Sequence, residues 1–286
     1  MNAIIMAAGT ASRFVPLSEE TPKGLLEVRG EILIERQIKQ LQEAGVSDTT
    51  IVLGYKAEMF QYLESKLGAR LVYNEDYNVY NNTSSMIRVV DRLGDTFICC
   101  SDHYFVDNVF LGKTEDSYYA TLYADGKTGE YCLKLDERDW IKDVQIGGQD
   151  AWYMAGHVFF NHQFSSKFRE IFVREYEKER TKQGYWEDVY MRHIQDLPMK
   201  ARKYGNGIIN EFDSIDDLRR FDTSYINDTR SSILKRICGT LSCEEAELHT
   251  FKRIKHTGEY LLFSFKKDNE SYIYDGRDAS VKRDIL

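Results

Sequence analysis

Two groups of residues in this 286-residue sequence have the types and spacing that phosphate chemistry needs. The first is Met6-Ala7-Ala8-Gly9-Thr10-Ala11-Ser12-Arg13-Phe14-Val15-Pro16-Leu17, followed by Thr21-Pro22-Lys23-Gly24-Leu25-Leu26. Small residues at the carboxyl end of a strand let backbone amides approach a nucleotide closely. Arg13 and Lys23 supply charge: an arginine fork grips two phosphate oxygens, and a lysine ammonium acts as a point charge beside the phosphorus under attack. The candidate loop is therefore Ala7, Ala8, Gly9, Thr10, Ala11, Ser12 and Arg13, with Lys23. The spacing GxxxxGK[ST] is absent and only one glycine of GxGxxG is present, which disfavours a P-loop or a Rossmann dehydrogenase. The second group is acidic. Asp102 directly follows the apolar run Phe97-Ile98-Cys99-Cys100, so its carboxylate should leave a strand end. Magnesium takes oxygen ligands and keeps several waters, so a second acid from later in the chain is expected, with Asp213 the candidate and Glu211 next. Asp213 would serve equally well as a helix cap. His103 reads as a hydrogen-bonding bystander.

The elements that must position these groups follow from periodicity. Residues 2–7, 49–53, 70–73 and 96–100 read as strands; 31–44, 56–67 and 84–93 read as amphipathic helices, with Gly45 at a C-terminal cap and Met59, Phe60, Leu63 and Leu67 on one face. This alternation is that of a parallel sheet covered by crossover helices. Beyond residue 115, short strands are expected at 118–123, 131–135, 141–146 and 152–160, separated by turns at Asp125-Gly126 and Gly147-Gly148. Helices are expected at 164–180, 186–195 and 215–221, and an extended run at 200–204. A composition shift near 222–229 places a boundary there, with a helical pair at 231–238 and 243–248 and strands at 260–265 and 272–274 beyond it. The fold class is α/β, a Rossmann-like, mostly parallel mixed sheet flanked by helices, residues 1–225, with a small α+β appendage, residues 226–286.

Composition bounds the function. With 38 Lys plus Arg against 46 Asp plus Glu, the net charge of −8 excludes a generic polyanion binder, so no nucleic-acid partner is expected. The longest apolar runs fall far short of the roughly 20 residues of a membrane span, and no signal segment opens the chain, so a cytoplasmic protein without membrane attachment is expected. The five cysteines form neither a CxxC pair nor a disulfide framework; reduced thiols without a zinc role are expected.

Taken together, Ala-Ala-Gly, Arg13, Pro22-Lys23 and the Leu-Leu-Glu-Val that follows resemble the signature of the nucleoside-triphosphate transferases, the sugar-nucleotide pyrophosphorylase superfamily. Arg13-Phe14-Val15-Pro16-Leu17, Pro22-Lys23-Gly24-Leu25-Leu26 and Leu33-Ile34-Glu35-Arg36-Gln37-Ile38 are most similar to its bacterial phosphocholine cytidylyltransferase branch, over residues 1–225. One departure is Ala11, where many relatives carry a second glycine. The resemblance implies a nucleotide-diphospho-sugar transferase fold, CTP and phosphocholine or a similar phosphorylated amine as substrates, and Mg2+ held by Asp102 and the Glu211-Phe212-Asp213 segment. It implies Lys23, Arg13 and Asp102 as catalytic residues and Asn82 and Ser84 as cytidine contacts, whereas Ser85 reads as a cap.

A quaternary ammonium donates no hydrogen bonds and is held by aromatic faces backed by a carboxylate. Tyr131, Trp152, Tyr185, Trp186 and Glu187 are the candidates, Tyr131 and Tyr185-Trp186 because they match aromatic positions of the resembled enzymes. A primary amine would instead need carboxylates and carbonyls to accept its three hydrogen bonds, an option that Glu187 and Asp188 keep open. Alternative acceptors are thus 2-aminoethylphosphonate, phosphoethanolamine or a sugar phosphate, and an alternative of another class is a catalytically silent nucleotide-binding assembly subunit. The tail from Lys255 to Tyr274 weakly resembles the opening strands of choline-kinase-like phosphotransferases, and a homodimer is left open.

Overall fold

The computed structural model describes residues 1–112, 115–254 and 260–284. In chain order the elements are β1 (Asn2–Ala7), α1 (Leu17–Glu20), β2 (Glu27–Val28), β3 (Glu31–Ile32), α2 (Leu33–Glu43), β4 (Thr49–Leu53), α3 (Tyr62–Leu67), β5 (Arg70–Tyr73), α4 (Thr83–Val89), β6 (Thr96–Cys100) and β7 (His103–Phe105). They continue with β8 (Tyr118–Leu135), β9 (Ile141–Phe160), α5 (His162–Tyr176), α6 (Glu179–Lys182), α7 (Trp186–Arg192), β10 (Lys200–Lys203), β11 (Ile209–Glu211), α8 (Ile215–Phe221), α9 (Ser232–Leu241), β12 (Leu248–Arg253), β13 (Leu262–Lys267), β14 (Glu270–Asp275) and β15 (Ser280–Arg283). Contacts gather these elements into two units, Met1–Gly9 with Leu33–Asn210, and Thr10–Ile32 with Glu211–Leu286.

The first unit is built on a seven-stranded sheet in the order β10-β8-β9-β6-β1-β4-β5. β6, β1, β4 and β5 run parallel, the inner three largely buried on both faces and β5 a more exposed edge strand, and β9 enters antiparallel against β6. Ile4, Val52 and Ile98 of these strands share one core with Phe164, Phe168 and Phe172 of α5 and Val189 and Tyr190 of α7. Fully burying each such side chain contributes about 1.5–3 kcal/mol, which fixes the strand ends that carry the site. α2 turns its Ile34, Ile38 and Leu41 inward and ends at Gly45, whose φ of 82° is the left-handed cap expected there.

Two expectations need correction here. The four short strands between 118 and 160 are one long hairpin of β8 and β9, with register shifts at Ala124/Lys127 and Thr128/Tyr131. Gly126 and Gly147, at φ 90° and 78°, bend the strands as bulges rather than turn the chain. The actual turn is at 136–140, where Asp136 Oδ1 accepts from the amides of Arg138 and Trp140. The expected helix at 56–67 is a 3-10 turn, Ala57–Phe60, followed by α3, and Met59 is exposed.

The second unit joins sequence-distant segments. Tyr225 Oη donates to the Glu27 carbonyl at 2.7 Å, the Arg29 amide to Asp222 Oδ2 at 2.7 Å, and the Ser232 amide to Glu20 Oε1 at 2.8 Å. These bonds group residues 10–32 with 211–284, a division that does not coincide with a boundary at 225. Strands β12-β13-β14-β15 form a separate antiparallel sheet over buried Phe251, Phe263, Phe265 and Tyr274. Only the 3-10 turn Glu245–Glu247 appears where a helix at 243–248 was expected, and β12 follows it. Of the tail segment, residues 255–259 lie outside the described residues. No helix among the described residues is long and apolar enough to cross a membrane.

Candidate active site

In the first unit, β1, an interior strand, delivers Ala7 and the following Ala8 to its carboxyl end, both buried. The Ala8 carbonyl accepts the Tyr55 amide at 3.1 Å. Gly54 allows this approach, since a Cβ there would lie 2.5 Å from Tyr77 and 2.8 Å from the Ala8 oxygen. Gly9 differs: a Cβ would meet nothing within 4 Å, so no neighbouring protein atom demands glycine at that point. The open space leaves the backbone accessible to a ligand.

The Ser101 amide donates to the Met6 carbonyl at 3.0 Å, carrying the end of β6 alongside β1. Asp102 follows, its side chain 24% exposed, with Oδ1 3.4 Å from Nδ1 of buried His103. Donor atoms of Cys100, Asp102 and His103 lie within 4.8 Å of one another. A partly open carboxylate at a strand end fits magnesium, which keeps most of its waters; the thiol and imidazole are soft donors that magnesium does not seek.

Asn82 and Glu187, 105 residues apart, meet beside the helices. Asn82 Nδ2 donates to Glu187 Oε2 at 3.3 Å, and its Oδ1 accepts the Trp186 amide at 2.8 Å. Tyr119 Oη donates to Glu187 Oε1 at 3.2 Å. Burial, reinforced by the charge of Asp188, outweighs these hydrogen bonds and pushes the Glu187 carboxyl up to about 7. Burial first, then Asp188, Glu187 and Tyr185, raise the Tyr131 phenol to about 12, so these four side chains share one neighbourhood.

Several predicted contacts take structural roles instead. Ser84 is 0% exposed; its hydroxyl donates to the Asn81 carbonyl at 2.7 Å and accepts from Asn74 Nδ2 at 2.9 Å, leaving no surface for a base. Ser85 is likewise buried inside α4, accepting from Asn74 at 3.1 Å, and does not cap it. Trp186 is 3% exposed, stacked on Tyr119 and edge-on to Phe160 and Phe168, which makes it a core residue rather than an open wall. Trp152 packs against Tyr123 beneath Lys203, apart from the Tyr131 group in its ring contacts. Tyr185 is exposed, and its amide donates to Asp188 Oδ2 at 2.7 Å, so Asp188 works as the first-turn cap of α7. Tyr119 was not anticipated; its place in a β-rich run hid it among many tyrosines.

The second unit holds the charged end. Thr10 and Ala11 are half-buried and Ser12 exposed; Ala11 sits at φ 48°, ψ 52° and opens the 3-10 turn Ser12–Phe14. Arg13, with its side chain 69% exposed, meets Asp213 Oδ1 at 2.8 Å, and Lys23 Nζ lies 3.9 Å from the same oxygen. Buried Phe212 anchors this segment against Phe221, while Glu211 is exposed. Ser214 is the cap of α8, accepting from the Asp217 amide, so the capping role weighed for Asp213 belongs to its neighbour.

Residues 3–130 match the MobA-like NTP transferase domain. The chain is 31% identical to the choline-phosphate cytidylyltransferase of Streptococcus pneumoniae over 228 residues, 80% of this chain and 100% of that protein. It is 36% identical to the 2-aminoethylphosphonate cytidylyltransferase of Lancefieldella rimae over 234 residues, 80% of this chain and 95% of that one. Among solved structures, a CTP:phosphocholine cytidylyltransferase from Streptococcus pneumoniae matches with a TM-score of 0.75 at 31% identity, covering 78% of this chain and 98% of its own. The chain belongs to the nucleoside-triphosphate transferase family. Within it, the chain is a nucleotidyltransferase of the CTP:phosphocholine cytidylyltransferase type.

Proposed function

We propose that this enzyme transfers the CMP group of CTP to phosphocholine. An oxygen of the phosphocholine phosphate bonds to the α-phosphorus of CTP, the bond from that phosphorus to the β-phosphate bridge breaks, and pyrophosphate leaves. The acceptor phosphate has its second pKa near 6, so at neutral pH it is largely a dianion and needs no general base. The protein's work is alignment and charge neutralisation. Lys23 offsets charge growing on the α-phosphoryl group and Arg13 grips the outer phosphates, each exchanging Asp213 for phosphate oxygens. Asn82 is the base and ribose candidate, and the Ala7–Gly9 backbone accepts the close approach of the nucleotide. Asp102, Asp213 and Glu211 are the carboxylates that the family resemblance assigns to Mg2+. When bound, that ion neutralises phosphate charge.

The observation that best supports a cationic acceptor is Glu187, a carboxyl held near pKa 7 beside Tyr131, Tyr185 and Asp188. A bound ammonium would restore its ionised form, and aromatic faces would hold the methyl groups. The 36% identity to a 2-aminoethylphosphonate enzyme supports a second reading with a primary-amine acceptor. Pyrophosphate release with CTP and each acceptor separates them: the higher kcat/KM with phosphocholine supports the first reading, and the higher value with 2-aminoethylphosphonate overturns it.

A further inference from the structure

Arg219 on α8 is a buried cation, 8% exposed, outside the phosphate loop and the carboxylates described above. Its guanidinium joins three stretches of chain: Nε donates to the Tyr225 carbonyl at 3.2 Å, Nη1 to Leu248 at 2.6 Å and Nη2 to Glu245 at 2.7 Å. Asp216 sits 3.4 Å from Nη1, and its other oxygen accepts the Thr250 amide at 3.1 Å. Thr250 lies at φ 56° within the register shift of β12 between His249 and Lys252, so this acceptor holds a bent part of the strand. A planar fork filled by separate carbonyls fixes direction as well as distance, which a lysine point charge cannot do.

Both elements tied by Arg219 reach the same turn. α8 begins directly after Asp213 and Ser214, and the Asp213 carboxylate holds Arg13 at 2.8 Å. β12 packs against the Ser12–Phe14 turn that carries Arg13, and its Arg253 pairs with Glu19 of α1. The contacts close a ring: Arg13, Asp213, α8, Arg219, β12, and back to the turn of Arg13. We infer that Arg219 is a positioning residue for the phosphate-gripping Arg13, and that β12 is a structural wall of this loop rather than the start of an independent appendage. The inference rests on the proposed role of Arg13 at the triphosphate.

The test is steady-state kinetics on the full-length enzyme with Arg219→Lys, Arg13→Ala and the double variant, with Asp216→Asn as a milder second perturbation and thermal unfolding as a check of folding. Arg219→Lys is expected to raise KM for CTP about tenfold, because sub-ångström to ångström misplacement of a binding group costs roughly 10- to 100-fold, while KM for the acceptor stays within about twofold. Asp216→Asn is expected to move KM for CTP in the same direction by about threefold. If Arg219 acts through Arg13, the double variant is no worse than Arg13→Ala alone, a non-additivity that a general loss of stability would not produce. Additive effects, or equal losses in the CTP and acceptor terms, would overturn the inference and leave the function standing. An unchanged KM for CTP in Arg13→Ala would instead remove the functional reading, and this inference with it.

Discussion

Glu187 ties the stability of the first unit to the acceptor binding proposed above. Its carboxyl lies at about 7 against an ordinary 4.5, mainly because burial disfavours the charge. That rise corresponds to up to about 3 kcal/mol in favour of the protonated form. The folded chain holds the proton more tightly than the unfolded chain, so the contribution is fully present below pH 4.5 and is lost as pH rises through about 7. Glu187→Gln keeps oxygen and nitrogen near Tyr119 and Asn82 but cannot ionise. Urea unfolding at pH 5 and pH 8 should therefore show the wild type losing up to about 3 kcal/mol more than the variant over this range. Calorimetry near pH 7 in buffers of different ionisation enthalpy should show acceptor binding releasing a proton from the wild type, with that release diminished in the variant. Parallel pH profiles for the two proteins would refute this reasoning.

Lys23→Ala should lower kcat about 100- to 1,000-fold, as expected for removing one transition-state donor, measured by pyrophosphate release with saturating CTP. At Ala11, whose left-handed backbone costs an L-residue about 1–2 kcal/mol against a glycine entropy cost of about 0.5–1 kcal/mol, Ala11→Gly should keep activity and raise stability by up to about 1 kcal/mol in denaturant unfolding. Ala11→Val should raise KM for CTP by distorting the turn before Arg13, which nucleotide titration would detect. Trp186→Ala should destabilise by about 3–5 kcal/mol in denaturant unfolding, as loss of a core aromatic does, whereas Tyr131→Ala should act chiefly on KM for the acceptor.

The parallel strands were legible because their signals are local. β1, β4, β5 and β6 are short apolar-rich runs between polar segments, and the structure places them at the expected residues. The loop glycines in 118–160 misled because a bulge and a turn share the same composition; only the pairing partner distinguishes them. The role of Trp186 depended on distance in the chain, since the residues that bury it include Phe160, Phe168 and Tyr119. No periodicity in either segment announces that residues 10–32 bond to 211–284; Tyr225 reaches Glu27 across 198 positions. Arg13, Lys23 and Asp213, singled out by their charge, do meet in the second unit, but the ring of contacts through Arg219 depends on backbone carbonyls that no residue type announces.

Which two anions the enzyme joins is read out by pyrophosphate release across CTP, UTP, GTP and ATP, each with phosphocholine, phosphoethanolamine, 2-aminoethylphosphonate and glucose 1-phosphate. The highest kcat/KM is expected for CTP with phosphocholine. A different preferred pair, or no release with any pair, would contradict it.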